Sequence, residues 1–260
     1  MAIAKRLFIL IMISTIFIGG CKKDNTPKEI TSADVEKAFQ EISLTPGVQD
    51  ISLEVANDVF YNFRIIVPDV DMSKSWPFIM AFHGESNGNP DAHKGTECYI
   101  EPGFEGLDAF IIHPNAGTQQ WYEQFNQIKV INLMSWATKF WPVDFNKIVA
   151  AGYSNGGNAS WFFAEQAPHI FSAAIPIASS YDLSINDSTS RKLDIPIYAI
   201  HGENDELFPI EITKKWVDES IKAGSDITWV EATGKTHFKP CEYVEYVQGA
   251  SDWLKNIVFK

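Results

Sequence analysis

A serine set between glycines is the first sign of chemistry in this chain. Gly152-Tyr153-Ser154-Asn155-Gly156-Gly157 follows the short strand-like run Lys147 to Ala151 and precedes Asn155 to Gln166, which reads as a helix ended before Pro168. G-x-S-x-G at a strand-to-helix junction makes a turn so tight that bulky residues at the glycine positions would collide with nearby backbone. The same turn lifts the serine hydroxyl above the sheet, and the helix adds partial positive charge where an oxyanion would form. A hydroxyl is a weak nucleophile until a base takes its proton, and the base needs a carboxylate to hold its tautomer. Ile200-His201-Gly202-Glu203-Asn204-Asp205 closes one strand-like run, and Gly234-Lys235-Thr236-His237 follows another. His237 is the only histidine after Asp205. Taken singly, Asp205 could be a helix-capping aspartate and His237 a loop histidine. Their order and placement after Ser154 make them the candidate acid and base.

These groups need a frame. Thr31 to Ile42 has the spacing of a short amphipathic helix, with Thr31 or Ser32 as its cap. Val59 to Val67 and Trp76 to Phe82 read as strands, the second ending at His83-Gly84, and Ala109 to His113 is another, stopped by Pro114. Gln127 to Phe140 has helical spacing. Ala173 to Ala178, Ile195 to Ile200 and Ile227 to Ala232 are further strands. Ile210 to Ala223 is a helix closed by Gly224, and Tyr243 to Val258 is the last helix. Short apolar runs alternating with longer helices predict an α/β fold: a doubly wound, mostly parallel sheet with helices on both faces. In such sheets the loops at the carboxyl ends of the strands gather the catalytic groups.

From about Val59 to Val258 the chain resembles the α/β-hydrolase superfamily, in its secreted esterase branch. That branch includes feruloyl and acetyl-xylan esterases and polyhydroxybutyrate-depolymerase-like proteins. VDFNKIVAAGYSNGGNASWFFAEQAPHIFSAAIPIAS resembles its elbow region, and PIYAIHGENDELFPI its acid loop. The resemblance implies Ser154 as nucleophile, Asp205 as acid and His237 as base, in the family's chain order. It also implies an oxyanion hole of backbone N–H groups. Asn155 supplies one, and Glu85, in the loop after Phe82, supplies the other by family position, with Ser86 as the alternative. The Glu85 side chain must then point away from the developing charge. His83 reads as a strand-end residue rather than a catalyst. Trp121, Tyr153 and His113 are the candidate substrate contacts. His113 ends a strand on the catalytic edge. Trp121 and Tyr122 form either an aromatic platform for a sugar or phenolic group or an exposed hydrophobic anchor. Ser179 to Asp194 is too short to hold the lid domain of many lipases, so an open cleft suited to bulky or polymer-linked esters is expected.

A formal charge of −12 disfavours nucleic acid and polybasic attachment to lipid. His93, His113 and His169 lack metal-ligand spacing, so neither a metal nor another cofactor is expected. Lys5 and Arg6 precede Leu7 to Ile18, about a dozen apolar residues, too few to span a bilayer and typical of a secretory signal. Gly19-Gly20-Cys21 resembles the bacterial lipoprotein box, with Ile18 where leucine is commoner. The resemblance implies a signal peptide over 1–20, lipidation of Cys21, a tether over 21–30 and one catalytic domain over 31–260. The expected product is an exported outer-membrane lipoprotein, on the periplasmic or the cell-surface face. It is expected to be a monomer that meets the membrane through its lipid anchor only. Cys98 and Cys241 would then face an oxidising compartment, either as a disulfide bracing the His237 loop or as two buried free thiols.

Together these readings predict serine-dependent hydrolysis of carboxylic esters through an acyl-enzyme. Feruloyl, acetyl or other acyl esters on polysaccharide-derived substrates are the expected class. Two rivals stand beside it: a serine peptidase on the same fold, and a non-catalytic glycan-binding surface lipoprotein. An intact Ser, Asp and His in order argues against the second.

Overall fold

The computed structural model describes residues 29–186 and 189–260. The signal peptide over 1–20, Cys21 and most of the tether lie outside the described residues. Helix α1 (Ser32–Gln40) starts at Thr31, whose hydroxyl accepts the Asp34 N–H while the Asp34 carboxylate accepts the Thr31 N–H. This reciprocal pair satisfies donors that the first helical turn leaves open. Strands β1 (Gly47–Ala56) and β2 (Val59–Val67) form a hairpin about Asn57-Asp58. Asp58 takes the left-handed conformation there (φ 61°), and its N–H is received by Glu54. β1 was not among the strands expected, because its alternating side chains are mostly exposed and carry little apolar signal.

The remaining strands are β3 (Trp76–Phe82), β4 (Phe110–Pro114), β5 (Val143–Tyr153), β6 (Ala173–Ile177), a small hairpin of β7 (Ser184–Asn186) and β8 (Thr189–Ser190), β9 (Ile197–Asn204) and β10 (Ile227–Thr236). Eight of them form one sheet in the order β1-β2-β4-β3-β5-β6-β9-β10. β1–β2 and β2–β4 are antiparallel, and every other pairing in that sheet is parallel. This is the α/β-hydrolase fold.

Alternation within the strands sorts the core into two layers. Phe78, Met80 and Phe82 of β3 join the layer of α1, α3 (Gln124–Phe140), α4 (Asn155–Gln166) and α5 (Ile210–Lys222). Ile79 and Ala81 join the layer of the short α2 (Ile100–Gly103) and of α6 (Val244–Trp253). The sheet is thus covered on both faces. The long C-terminal helix expected over Tyr243 to Val258 is broken into a 3₁₀ turn, α6 and a π turn. Cys98 and Cys241, 143 residues apart, are joined in a disulfide with a Cα separation of 5.1 Å. The bond ties the segment before α2 to the turn after His237. Arg64 on β2 adds a second cross-link: it pairs with Asp50 of β1 and with Glu97 and Glu101 around α2. No helix among the described residues is long and apolar enough to cross a membrane.

Candidate active site

The strand order decides where chemistry can gather. β4 and β5 lie on opposite sides of β3, so the chain leaves β3 in one direction and returns on the other. A crevice opens at such a reversal, outside the carboxyl ends of the strands. The loop after β3 and the turn after β5 flank it, and they carry Glu85 and Ser154.

Ser154 stands between β5 and α4 with φ 57° and ψ −121°, a conformation costly for any residue with a Cβ. The neighbouring glycines permit it. A Cβ at Gly152 would lie 2.3 Å from the Gly156 carbonyl oxygen, and one at Gly156 would lie 2.1 Å from that of Phe82. Close approach of α4 to β3 therefore requires glycine at both places.

Ser154 Oγ lies 2.8 Å from His237 Nε2, and His237 Nδ1 lies 2.9 Å and 3.1 Å from the two oxygens of Asp205. A carboxylate only accepts, so Nδ1 carries the proton and Nε2 is free to receive the one from Ser154. Asp205 is buried, which alone would raise its pKa. The N–H groups of His237 and Phe208 outweigh this and hold the carboxyl below its usual range. His237 is delivered by β10, which runs past the expected end at Ala232 to Thr236 and pairs there with Asn204 of the similarly lengthened β9. The His237 backbone is gripped on both sides: its N–H donates to Glu206, and its carbonyl accepts from the Tyr153 hydroxyl. His201, on β9 ahead of the acid loop, donates through Nε2 to the Phe208 carbonyl at 2.8 Å and closes the turn that presents Asp205. Neither Glu206 nor His201 was singled out beforehand. Both act on backbone, and a backbone contact leaves no residue-type pattern in sequence.

Beside Ser154 are the N–H of Asn155, next in the chain, and that of Glu85, which follows Gly84. Neither donates to another group among the described residues. Asn155 is the first residue of α4, where no intrahelical acceptor exists. Gly84 packs against Ser154: a Cβ there would be 3.5 Å from Ser154 Cβ. The Ser86 N–H is directed to the Glu85 carboxylate, which leaves Glu85 as the better second donor. That carboxylate is itself held aside, accepting from Gln120 Nε2 at 3.0 Å, Asn155 Nδ2 at 3.2 Å and the Asn87 N–H at 3.3 Å. Chiefly through the Gln120 contact its pKa is lowered, so it stays an acceptor. An oxyanion between the two free N–H groups would meet donors rather than a carboxylate.

The three expected substrate contacts stand differently. His113 is fully buried, bonded through Nδ1 to Thr96 Oγ1 at 2.6 Å, and cannot touch a substrate. Tyr153 is buried beneath the site, where its hydroxyl holds the His237 carbonyl. Trp121 is 1% exposed, too little for an open platform, though it borders the cleft beside Asn155: it packs on Phe82, and its indole N–H donates to the His83 carbonyl at 3.0 Å. Tyr122, next to it, is the exposed ring. A cleft of about 350 Å³ adjoins Asn155 and is lined by Trp121, Tyr122, Asn158, Ala159, Phe162 and Tyr181. None of these side chains carries a charge. Among the described residues no group of three or more His, Cys, Asp or Glu side chains is arranged to hold a metal ion.

The dienelactone hydrolase family model matches residues 113–237, a stretch that contains Ser154, Asp205 and His237. Solved structures share the fold at low identity. A fluorophosphonate-binding serine hydrolase of Staphylococcus aureus is 16% identical, with a TM-score of 0.67 over 82% of this chain and 100% of its own. An esterase of Thermogutta terrifontis is 18% identical, with a TM-score of 0.65 over 84% of this chain and 97% of its own. A thermostable esterase is 22% identical, with a TM-score of 0.65 over 80% of this chain; the match spans only 62% of that longer protein. No curated protein sequence matches significantly. Sheet order and the solved structures agree on the α/β-hydrolase fold.

Proposed function

We propose that this α/β-hydrolase-superfamily enzyme hydrolyses carboxylic esters, with Ser154 as nucleophile, His237 as general base and Asp205 as the acid that orients it. One observation carries the reading: an unbroken hydrogen-bond line from Ser154 through His237 to Asp205, set beside two unengaged backbone N–H groups. His237 Nε2 takes the hydroxyl proton as Ser154 Oγ bonds to the ester carbonyl carbon. The carbonyl electron pair moves to oxygen, which the Asn155 and Glu85 N–H groups receive. The tetrahedral adduct collapses, and the C–O bond to the alcohol breaks. His237 returns the proton to the leaving oxygen, and the acyl group stays on Oγ. Water then repeats the sequence and releases the carboxylic acid. Throughout, Asp205 holds Nδ1–H and stabilises the imidazolium.

The uncharged cleft beside Asn155 favours a neutral acyl group, acetyl or aromatic such as feruloyl, over an anionic one. Between β6 and β9 the described chain adds only the β7–β8 hairpin, which leaves the cleft open to esters carried on a polysaccharide. The N-terminal signal and Cys21 extend the proposal to an exported, lipid-anchored enzyme, and the Cys98–Cys241 bond suits an oxidising compartment. The test is turnover of p-nitrophenyl acetate, methyl ferulate and acetylated or feruloylated oligosaccharides by the wild type and by Ser154→Ala. The substitution is expected to lower kcat by about 10⁶ with the fold unchanged. Near-normal turnover in that variant would end the proposal. Cleavage of peptide anilides with no ester turnover would move it to a peptidase.

A further inference from the structure

His83 is a buried histidine that no step above uses. We propose that His83 is a positioning residue that sets the direction of the Glu85 N–H and so completes the oxyanion hole. The proposal rests on the catalytic reading of Ser154 but not on any particular ester.

The imidazole of His83, 4% exposed at the end of β3, spans two backbone groups. Nδ1 lies 2.6 Å from the Gly84 carbonyl oxygen, which can only accept. Nε2 lies 3.0 Å from the Ala116 N–H, which can only donate. One form of the ring satisfies both: neutral, with its proton on Nδ1. Burial disfavours the charged form and pushes the pKa down to about 4. The titratable groups facing the ring are Glu85, His93, His113 and Lys129. Lys129, the cation among them, opposes a second proton.

Fastening the Gly84 carbonyl has a consequence one atom further on. A trans peptide is planar, with its C=O and N–H pointing in opposite directions. Holding the Gly84 oxygen against the buried ring therefore turns the Glu85 N–H away from it. The preceding peptide is fixed as well, because the His83 carbonyl accepts from the Trp121 indole. A Cβ at Gly84 would meet Ser154 only at ordinary contact distance, so space does not demand the glycine, and glycine resists a peptide flip poorly. Two side-chain clamps on consecutive carbonyls supply the missing stiffness.

The experiment compares His83→Ala, His83→Asn, His83→Gln and Trp121→Phe. Active sites are counted by fluorophosphonate labelling, and the labelling rate itself is recorded. Asn places an N–H where Nδ1 stood, whereas Gln reaches only toward the Nε2 position. His83→Ala is expected to lose about 10- to 100-fold in kcat per titrated site, with KM within a few fold. Affinity for a boronate transition-state analogue should fall in step, and so should the phosphonylation rate. Asn should recover most of the loss and Gln little of it. Trp121→Phe, which keeps an aromatic ring but deletes the bond to the His83 carbonyl, should fall by a smaller factor. A merely structural role would lower the melting temperature and the titrated fraction but leave kcat per site, boronate affinity and phosphonylation unchanged. That outcome overturns the proposal, as does equal recovery by Asn and Gln. Wild-type protein that is phosphonylated yet turns over no ester would defeat the ester reading alone, and the labelling rates of the variants would still decide the role of His83.

Discussion

The proposed base and the proposed oxyanion loop both meet Ser154, yet they are held by different means. His237 arrives on a strand. Its backbone is fastened by Glu206 and Tyr153, and its ring by Asp205. The loop after β3 has no strand or helix before Ala92. It is sewn instead to the loop after β4 by side chains. Asn115 donates to the carbonyls of Asn89 and Pro90, Ser86 to that of Gly117, Gln120 to Glu85 and Trp121 to that of His83. Lys129 anchors the second loop from below, through the Asn115 carbonyl at 2.5 Å. One half of the site thus draws its precision from the sheet, and the other from a buried polar network. A sheet tolerates the loss of one contact. A network of this kind does not, because each deletion leaves a desolvated partner.

The largest effects should come from the sheet-borne half. His237→Ala is expected to cost about as much as Ser154→Ala, on the order of 10⁶ in kcat. Asp205→Asn should cost about 10⁴, because its amide no longer selects the Nδ1–H tautomer. Both proteins should melt cooperatively and bind a boronate more weakly. Turnover per titrated site close to wild type in either would detach that residue from the chemistry, and the contrast between the two halves would then lose its first term.

The difference between the halves also explains what the sequence could reveal. The elbow was legible because a strand, two sterically required glycines and a helix fall within a few residues. The acid and base followed from chain order and from their placement after strand-like runs. β9 and β10 were underestimated because Glu203-Asn204 and Gly234-Lys235 carry no apolar signal, although their backbones continue the ladder. The oxyanion half was barely legible, since its clamps join positions more than thirty residues apart. Trp121 and His113 illustrate the consequence. A polar loop and a strand end suggest exposure, but the His83 carbonyl and Thr96, distant in sequence, bury them.

The disulfide offers a way to sharpen the comparison, because it ties the base side to the segment before α2. Closing so long a loop contributes up to about 5 kcal/mol in the chain-entropy model. The Cys98→Ser/Cys241→Ser double variant should therefore melt on the order of 10 °C lower. At 25 °C its kcat should stay within a few fold, since Glu206, Tyr153 and the β9–β10 ladder still fix His237. A loss of turnover with little change in melting would show that the covalent brace, and not the sheet, positions the base.

Smallest in its effect on turnover is a change at His113, and it separates buried histidines that serve the site from those that do not. Both His83 and His113 fold in the neutral form, their pKa values pushed down by burial to about 4 and about 3. In the unfolded chain each returns to its ordinary value of 6.5. Below that value the unfolded state binds protons that the folded state refuses, so stability falls as pH falls. The slope is about 1.4 kcal/mol per pH unit for each such group until the folded pKa is reached. Above pH 6.5 neither contributes any slope. Carboxylates also lose their native partners in acid, so the informative quantity is the difference between wild type and variant. Urea unfolding of His113→Asn between pH 7 and pH 4.5 should show a shallower loss of stability, by close to one proton, with kcat within about twofold of wild type. His83→Asn should flatten the same curve and lower kcat as well. Equal acid slopes in wild type and His113→Asn would mean that His113 is not buried neutral, and a matching fall in kcat would return it to the site.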